Sequence, residues 1–118
     1  MSTQWPRNIS VEQLKAEIDD ATAEFTLLDV REPWELRLAG LKDRRLVEIP
    51  MSQLPSQAKE QLPDLTQEHP PIFVLCHHGV RSGTVARWLV NQGWKNVYNV
   101  HGGLEAYRLA ADPSINKY

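Results

Sequence analysis

The run Ile72–Leu75 constrains the fold most, because a strong helical pattern begins at Arg81, only six positions beyond Leu75. From residue 81 to 92, Val85, Ala86, Leu89 and Val90 form one apolar stripe, and Gly93 follows as a stop. A buried strand that feeds a helix this directly is the joint of an α/β unit. The same alternation recurs along the chain. Ser10-Val-Glu-Gln13 reads as a capping box that opens a helix to about residue 19. Residues 25–30 are a nearly continuous apolar run, the pattern of a strand covered on both faces. Pro33 suits the first turn of a short helix over 33–39, and residues 46–49 read as a strand stopped by Pro50. A helix over 52–62, a polar connection over 65–71, a strand at Val97–Val100 and a helix over 104–111 complete the pattern.

These elements predict an α/β fold: a small parallel β-sheet of four to five strands, flanked by helices on both faces. A chain of 118 residues has room for one domain. Its core is expected over residues 8–110, with 1–7 and 112–118 as loose ends. An apolar fraction of 42% and a charged fraction of 24% exclude wholesale disorder. Net charge is −2, and the densest basic group, Lys42, Arg44 and Arg45, is interrupted by Asp43. A nucleic-acid or anionic-membrane surface is therefore not expected. The first residues lack the apolar segment of a secretory signal, and no apolar run approaches membrane-spanning length. The one cysteine forms no internal disulfide, so a cytoplasmic location is expected. Chemistry at Cys76 would then have no resolving cysteine in the same chain.

Leu75-Cys-His-His-Gly-Val-Arg-Ser82 is the segment that carries chemistry. Cys76 falls at the carboxyl end of the sheet, where open α/β folds place their ligand crevices. Between Cys76 and Arg81 the chain must curl tightly, and Gly79 supplies the permissive backbone. Successive N–H groups in such a curl form an anion-binding nest, reinforced by the start of the following helix and by the charge of Arg81. Environments of this kind favour thiolate over thiol, moving cysteine from ~8.5 into a range of roughly 3.5–7.5. A lone cysteine is otherwise most often a small buried apolar residue; the loop, the helix start and Arg81 favour a nucleophile here.

Three motifs in this order resemble the rhodanese-homology family over residues 8–110: Leu27-Leu-Asp-Val-Arg-Glu-Pro-Trp-Glu35, the loop Cys76-His-His-Gly-Val-Arg81 with Ser82, and Val100-His-Gly-Gly-Leu-Glu-Ala-Tyr107. The resemblance implies a sulfurtransferase in which Cys76 takes a sulfane sulfur from a donor such as thiosulfate as a persulfide. The sulfur then passes to cyanide in vitro, or to a thiol or protein in the cell. The transient persulfide serves in place of any metal or organic cofactor. The substrate-binding loop is His77, His78, Gly79, Val80, Arg81 and Ser82. Two departures are visible. Ala39-Gly-Leu-Lys-Asp43 lacks the histidine usual in the family at that point. His77 and His78 match neither the basic residue of many thiosulfate-using members nor the small residues of mercaptopyruvate-using ones, so donor choice stays open. Related phosphatases and arsenate reductases carry a wider Cys-x5-Arg loop, whereas Cys76 and Arg81 give Cys-x4-Arg, a ring better sized for sulfur than for a phosphoryl group. The alternative from another class is a regulatory, persulfide-presenting binding module with little turnover.

Asp29, Arg31 and Glu35 are supporting candidates. Asp29 and Arg31 either shape the crevice or form a buried structural network, and the second is favoured because buried charges are usually paired. Glu35, four residues beyond Arg31, is expected to pair with it. His77 and His78 rim the pocket in this reading; with no second spaced ligand pair, a metal site is disfavoured. His101 reads as a surface residue. Trp34, Trp88, Trp94 and Tyr107 read as packing or docking groups, Trp88 as a partner anchor if exposed.

Overall fold

Ser10 and Gln13 close the capping box reciprocally. The Gln13 N–H donates to Ser10 Oγ and the Ser10 N–H donates to Gln13 Oε1, each at 3.1 Å. The helix they open, α1 (Val11–Asp19), is the first of five in a computed structural model that describes residues 5–118. The others are α2 (Pro33–Leu38), α3 (Leu54–Gln61), α4 (Val80–Gln92) and α5 (Gly103–Ala110). A 3-10 turn at Met51–Gln53 leads into α3, so the first turn expected of that helix winds more tightly. The strands are β1 (Arg7–Ile9), β2 (Thr26–Asp29), β3 (Leu46–Glu48), β4 (Ile72–Leu75) and β5 (Val97–Val100). All pair in parallel, in the order β1-β5-β4-β2-β3.

Alternation along β4 sorts the core into two layers. Ile72, Val74 and Cys76 join Leu28, Val85, Leu89 and Trp94 beneath α3 and α4. Phe73 and Leu75 join Leu14, Leu27, Leu104 and Tyr107 beneath α1 and α5. The period that buries Ile72 and Val74 therefore also carries the cysteine side chain to the α4 side.

Arg7, the last residue of the expected N-terminal loose end, and residues of the expected C-terminal one make ordered contacts. Residues 1–4 lie outside the described residues, but Arg7–Ile9 is a strand, with Ile9 opposite Val100. Three residues with a single buried side chain show no alternation in the sequence; backbone pairing to β5 makes this strand. At the other end, the Ser114 N–H bonds to Asp112 Oδ1, Ile115 packs on the α1/α5 layer, and Tyr118 reaches the buried charges described below. Of the basic group at 42–45, Lys42 and Arg44 are exposed and Arg45 turns inward. Arg45 is buried, pairs with Asp43 at 2.8 Å and donates to the carbonyls of Ile18, Asp20 and Ala23 behind α1. Among the described residues, no helix is long and apolar enough to cross a membrane.

Candidate active site

Between the end of β4 and the start of α4 only Cys76, His77, His78 and Gly79 intervene. Gly79 turns the chain with φ of +94°, a left-handed conformation, and brings its N–H to 3.0 Å from Cys76 Sγ. The helix begins at Val80, one residue earlier than its apolar stripe suggests.

The loop is shaped from outside by α5. Its first free amides, Leu104 N–H and Glu105 N–H, donate to the carbonyls of Cys76 and His77 at 2.9 and 3.1 Å. A trans peptide points its N–H opposite to its C=O. Tying these two carbonyls to α5 therefore turns the His77 and His78 N–H groups away from it, and there is no cis peptide among the described residues. Gly103 permits the approach. A Cβ there would stand 2.6 Å from the Cys76 carbonyl oxygen and 2.5 Å from that of His77.

On its other side the sulfur meets a polar chain. The Cys76 thiol donates to Ser82 Oγ at 3.2 Å, Ser82 Oγ donates to Asn99 Oδ1 at 2.6 Å, and Asn99 Nδ2 donates to the Gly79 carbonyl at 3.1 Å. This network ties the loop to β5. It matches the thiol form; once Cys76 loses its proton, the Ser82 hydroxyl has a second acceptor to turn to. The cysteine is 1% exposed, so it sits on the floor of the loop as a core residue with a hydrogen-bonded sulfur.

Two ion pairs stand at the entrance. Asp29 and Arg31, at the end of β2, are both buried and joined through Nη2 at 2.8 Å and Nε at 3.0 Å, and Arg31 Nη2 also donates to the Ala39 carbonyl. This is the structural network favoured from the sequence. Glu35 does not pair with Arg31 as expected. Its carboxylate accepts both Nη1 and Nη2 of Arg81, at 2.6 and 2.8 Å. Asp29 already fills the Arg31 fork, and the loop presents Arg81 directly to α2. The Arg81 hydrogen bonds hold the Glu35 carboxyl down to about 2, against the cost of its burial. Arg81 therefore meets the loop as half of a neutral pair, not as a free cation. Tyr118 completes the cluster: its hydroxyl accepts from Arg31 Nη1 at 2.8 Å and donates to Glu35 Oε2 at 2.9 Å.

The remaining candidates divide plainly. His77 is half-buried, and burial followed by the neighbouring His78 lowers its pKa. His78, Val80 and His101 are exposed. Among the described residues no three His, Cys, Asp or Glu side chains gather as a metal-ligand cluster. Trp88 packs against the α3/α4 layer and offers no exposed anchor, Trp94 is buried with Nε1 donating to the Pro63 carbonyl, and Trp34 is exposed. Asn99, Gly103 and Tyr118 were not singled out as site residues. Only the polar Asn99 within an apolar strand and the Gly102-Gly103 pair left any mark in the sequence.

A parallel sheet whose central strand delivers a cysteine into a short loop, with the Gly79 amide facing the sulfur, defines an α/β domain with a buried thiol at the carboxyl end of its sheet. The chain belongs to the rhodanese-like domain family, whose model matches residues 10–110. It is 42% identical to the chloroplastic rhodanese-like/PpiC domain-containing protein 12 of Arabidopsis thaliana, over 95% of this chain but 37% of that protein. It is 36% identical to the thiosulfate sulfurtransferase GlpE of Vibrio cholerae, over 74% of this chain and 76% of that one. A crystal structure of a rhodanese-related protein from Thermoplasma volcanium superposes with a TM-score of 0.72 at 30% identity, covering 89% of this chain and 93% of the other.

Proposed function

We propose that the protein is a sulfurtransferase that carries a sulfane sulfur on Cys76, with thiosulfate as a donor. The observation that carries the proposal is the Gly79 N–H aimed at Cys76 Sγ from 3.0 Å, in a loop whose first two carbonyls are drawn off by α5. The Cys76 thiolate attacks the outer sulfur of thiosulfate. The sulfur–sulfur bond of the donor breaks, sulfite leaves with the electron pair, and Cys76 becomes a persulfide anion. An acceptor then attacks the outer sulfur and regenerates the thiolate: cyanide in vitro, giving thiocyanate, or a thiol or protein thiol in the cell. The negative charge stays at the end of one or two sulfur atoms throughout, where the Gly79 amide and the start of α4 stabilise it. The similarity to a protein named thiosulfate sulfurtransferase supports this choice of donor.

In this cycle no metal or organic cofactor takes part, the partners are a small sulfur-donor anion and a thiol acceptor, and nucleic acid and membrane have no role. We place the cycle in the cytoplasm, from the single cysteine and its need for a reduced thiol. The test is intact-mass spectrometry after incubation with thiosulfate. The expected result is a gain of one sulfur atom, discharged by cyanide and absent in Cys76→Ala. No adduct with thiosulfate or with several other sulfane donors would overturn the proposal in favour of a binding module without turnover.

A further inference from the structure

The scheme above makes no use of Tyr118, yet this residue touches both sides of the entrance. Its ring lies flat on His77, with centroids 3.9 Å apart and planes within 8°. The His78 ring is 4.0 Å from the His77 ring. Two rings this close to a third must occupy its opposite faces, so His77 is the middle layer of a stack. The Tyr118 hydroxyl meanwhile bridges Arg31 to Glu35, the carboxylate that holds Arg81.

The charges around His77 cancel. On its own loop stands His78; on α5, Glu105 is paired with Arg108; on α2, Glu35 is paired with Arg81; beyond β2, Arg31 is paired with Asp29. With His77 uncharged, the entrance has no uncompensated cationic side chain among these, and a donor anion is left to the loop amides and the α4 terminus.

We propose that Tyr118 is a positioning residue that fixes the place and the charge of His77, and thereby how tightly the site holds an anionic sulfur donor. This rests on the sulfurtransferase reading. Covered on both faces, the imidazole is shielded from the water its charged form needs. Burial already lowers its pKa. Without the tyrosine ring, His77 is hydrated on one face, takes a proton as the pH falls towards 6, and adds a cation one residue from the nucleophile. Donor binding then becomes pH-dependent.

Two variants separate the contacts. Tyr118→Phe keeps the stack and loses the bridge, whereas Tyr118→Ala loses both; Tyr118→Leu replaces the alanine variant if that one melts too low. His77 is titrated through its imidazole resonances by NMR, and thiosulfate KM and kcat are measured from about pH 5.5 to 8. The expected result is a higher His77 pKa without the ring, and a KM that falls at least about fivefold from pH 8 to pH 6, the worth of one pair of unit charges at ~4 Å in water, to which the second charge of the thiosulfate dianion adds. The change falls on KM rather than kcat, and wild type and Tyr118→Phe vary less than about twofold. An unchanged His77 titration, or a ring-less variant whose KM follows the wild-type profile, overturns the proposal. A wild type that transfers no sulfur overturns the sulfurtransferase reading instead, and the NMR titration then decides the His77 contact alone.

Discussion

Replacing Glu35 by glutamine isolates the electrostatics of the entrance with little change in shape. The Glu35 carboxylate accepts from Arg81 Nη1 and Nη2, from the Tyr118 hydroxyl and from the Glu32 N–H. A glutamine side chain keeps one of these two oxygens and turns an NH2 towards donors. The size of the loss follows from linkage. The carboxyl falls from the usual 4.5 to about 2 on folding, and at ~1.4 kcal/mol per tenfold in proton affinity this represents ~3 kcal/mol. Because the folded-state pKa is depressed, the contribution is complete above pH 4.5 and is lost as the pH falls through about 2. Glu35→Gln is therefore expected to cost about 2–3 kcal/mol at pH 7, or roughly 10 °C in melting temperature. The variant has nothing to titrate there, so its stability curve should converge with that of the wild type between about pH 4.5 and 2. Urea unfolding followed by tryptophan fluorescence at several pH values gives both curves, compared at equal m. A gap that stays constant down to about pH 2.5, or one below ~0.5 kcal/mol at pH 7, would refute the reasoning.

Two further substitutions probe the loop itself. Ser82→Ala removes the link between Cys76 Sγ and Asn99 Oδ1, leaving the latter without its donor. It should cost about 1–2 kcal/mol in urea unfolding and slow sulfite release severalfold in single-turnover stopped flow. Gly103→Ala places a Cβ 2.5 Å from the His77 carbonyl oxygen, at a backbone φ of +66°. The loop must then leave α5, which should cost about 3 kcal/mol and speed the alkylation of Cys76 by iodoacetamide. Unchanged alkylation would show that α5 does not hold the loop.

Most of the scaffold was legible because its signals are local. The capping box at Ser10 and Gln13, the apolar run of β4 and the stripe of α4 each lie within a few neighbouring residues. The loop that holds Cys76 was legible for the same reason, since strand, glycine and helix start are contiguous around it. The entrance was not. Glu35 meets Arg81 across 46 positions, and Tyr118 meets Arg31 across 87. No spacing rule links such pairs, and the helix rule of i, i+4 pointed Glu35 at Arg31, whose Nε and Nη2 go to Asp29 and whose Nη1 goes to Tyr118. β1 escaped because an edge strand with a single buried side chain is defined by its partner's backbone rather than by its own pattern.

The position of β5 and α5 makes both ends of the fold depend on the last third of the chain. Among the described residues, Arg7–Ile9 pairs with β5, and the carbonyls of Cys76 and His77 accept from amides of α5. A nascent chain that has displayed Cys76 but not yet residues 97–105 has its central strands and its cysteine, with neither the anchors of the loop nor the partner of its first strand. Until residues 97–105 are present, the loop around Cys76 lacks Asn99, Leu104 and Glu105, the residues that hold it from outside.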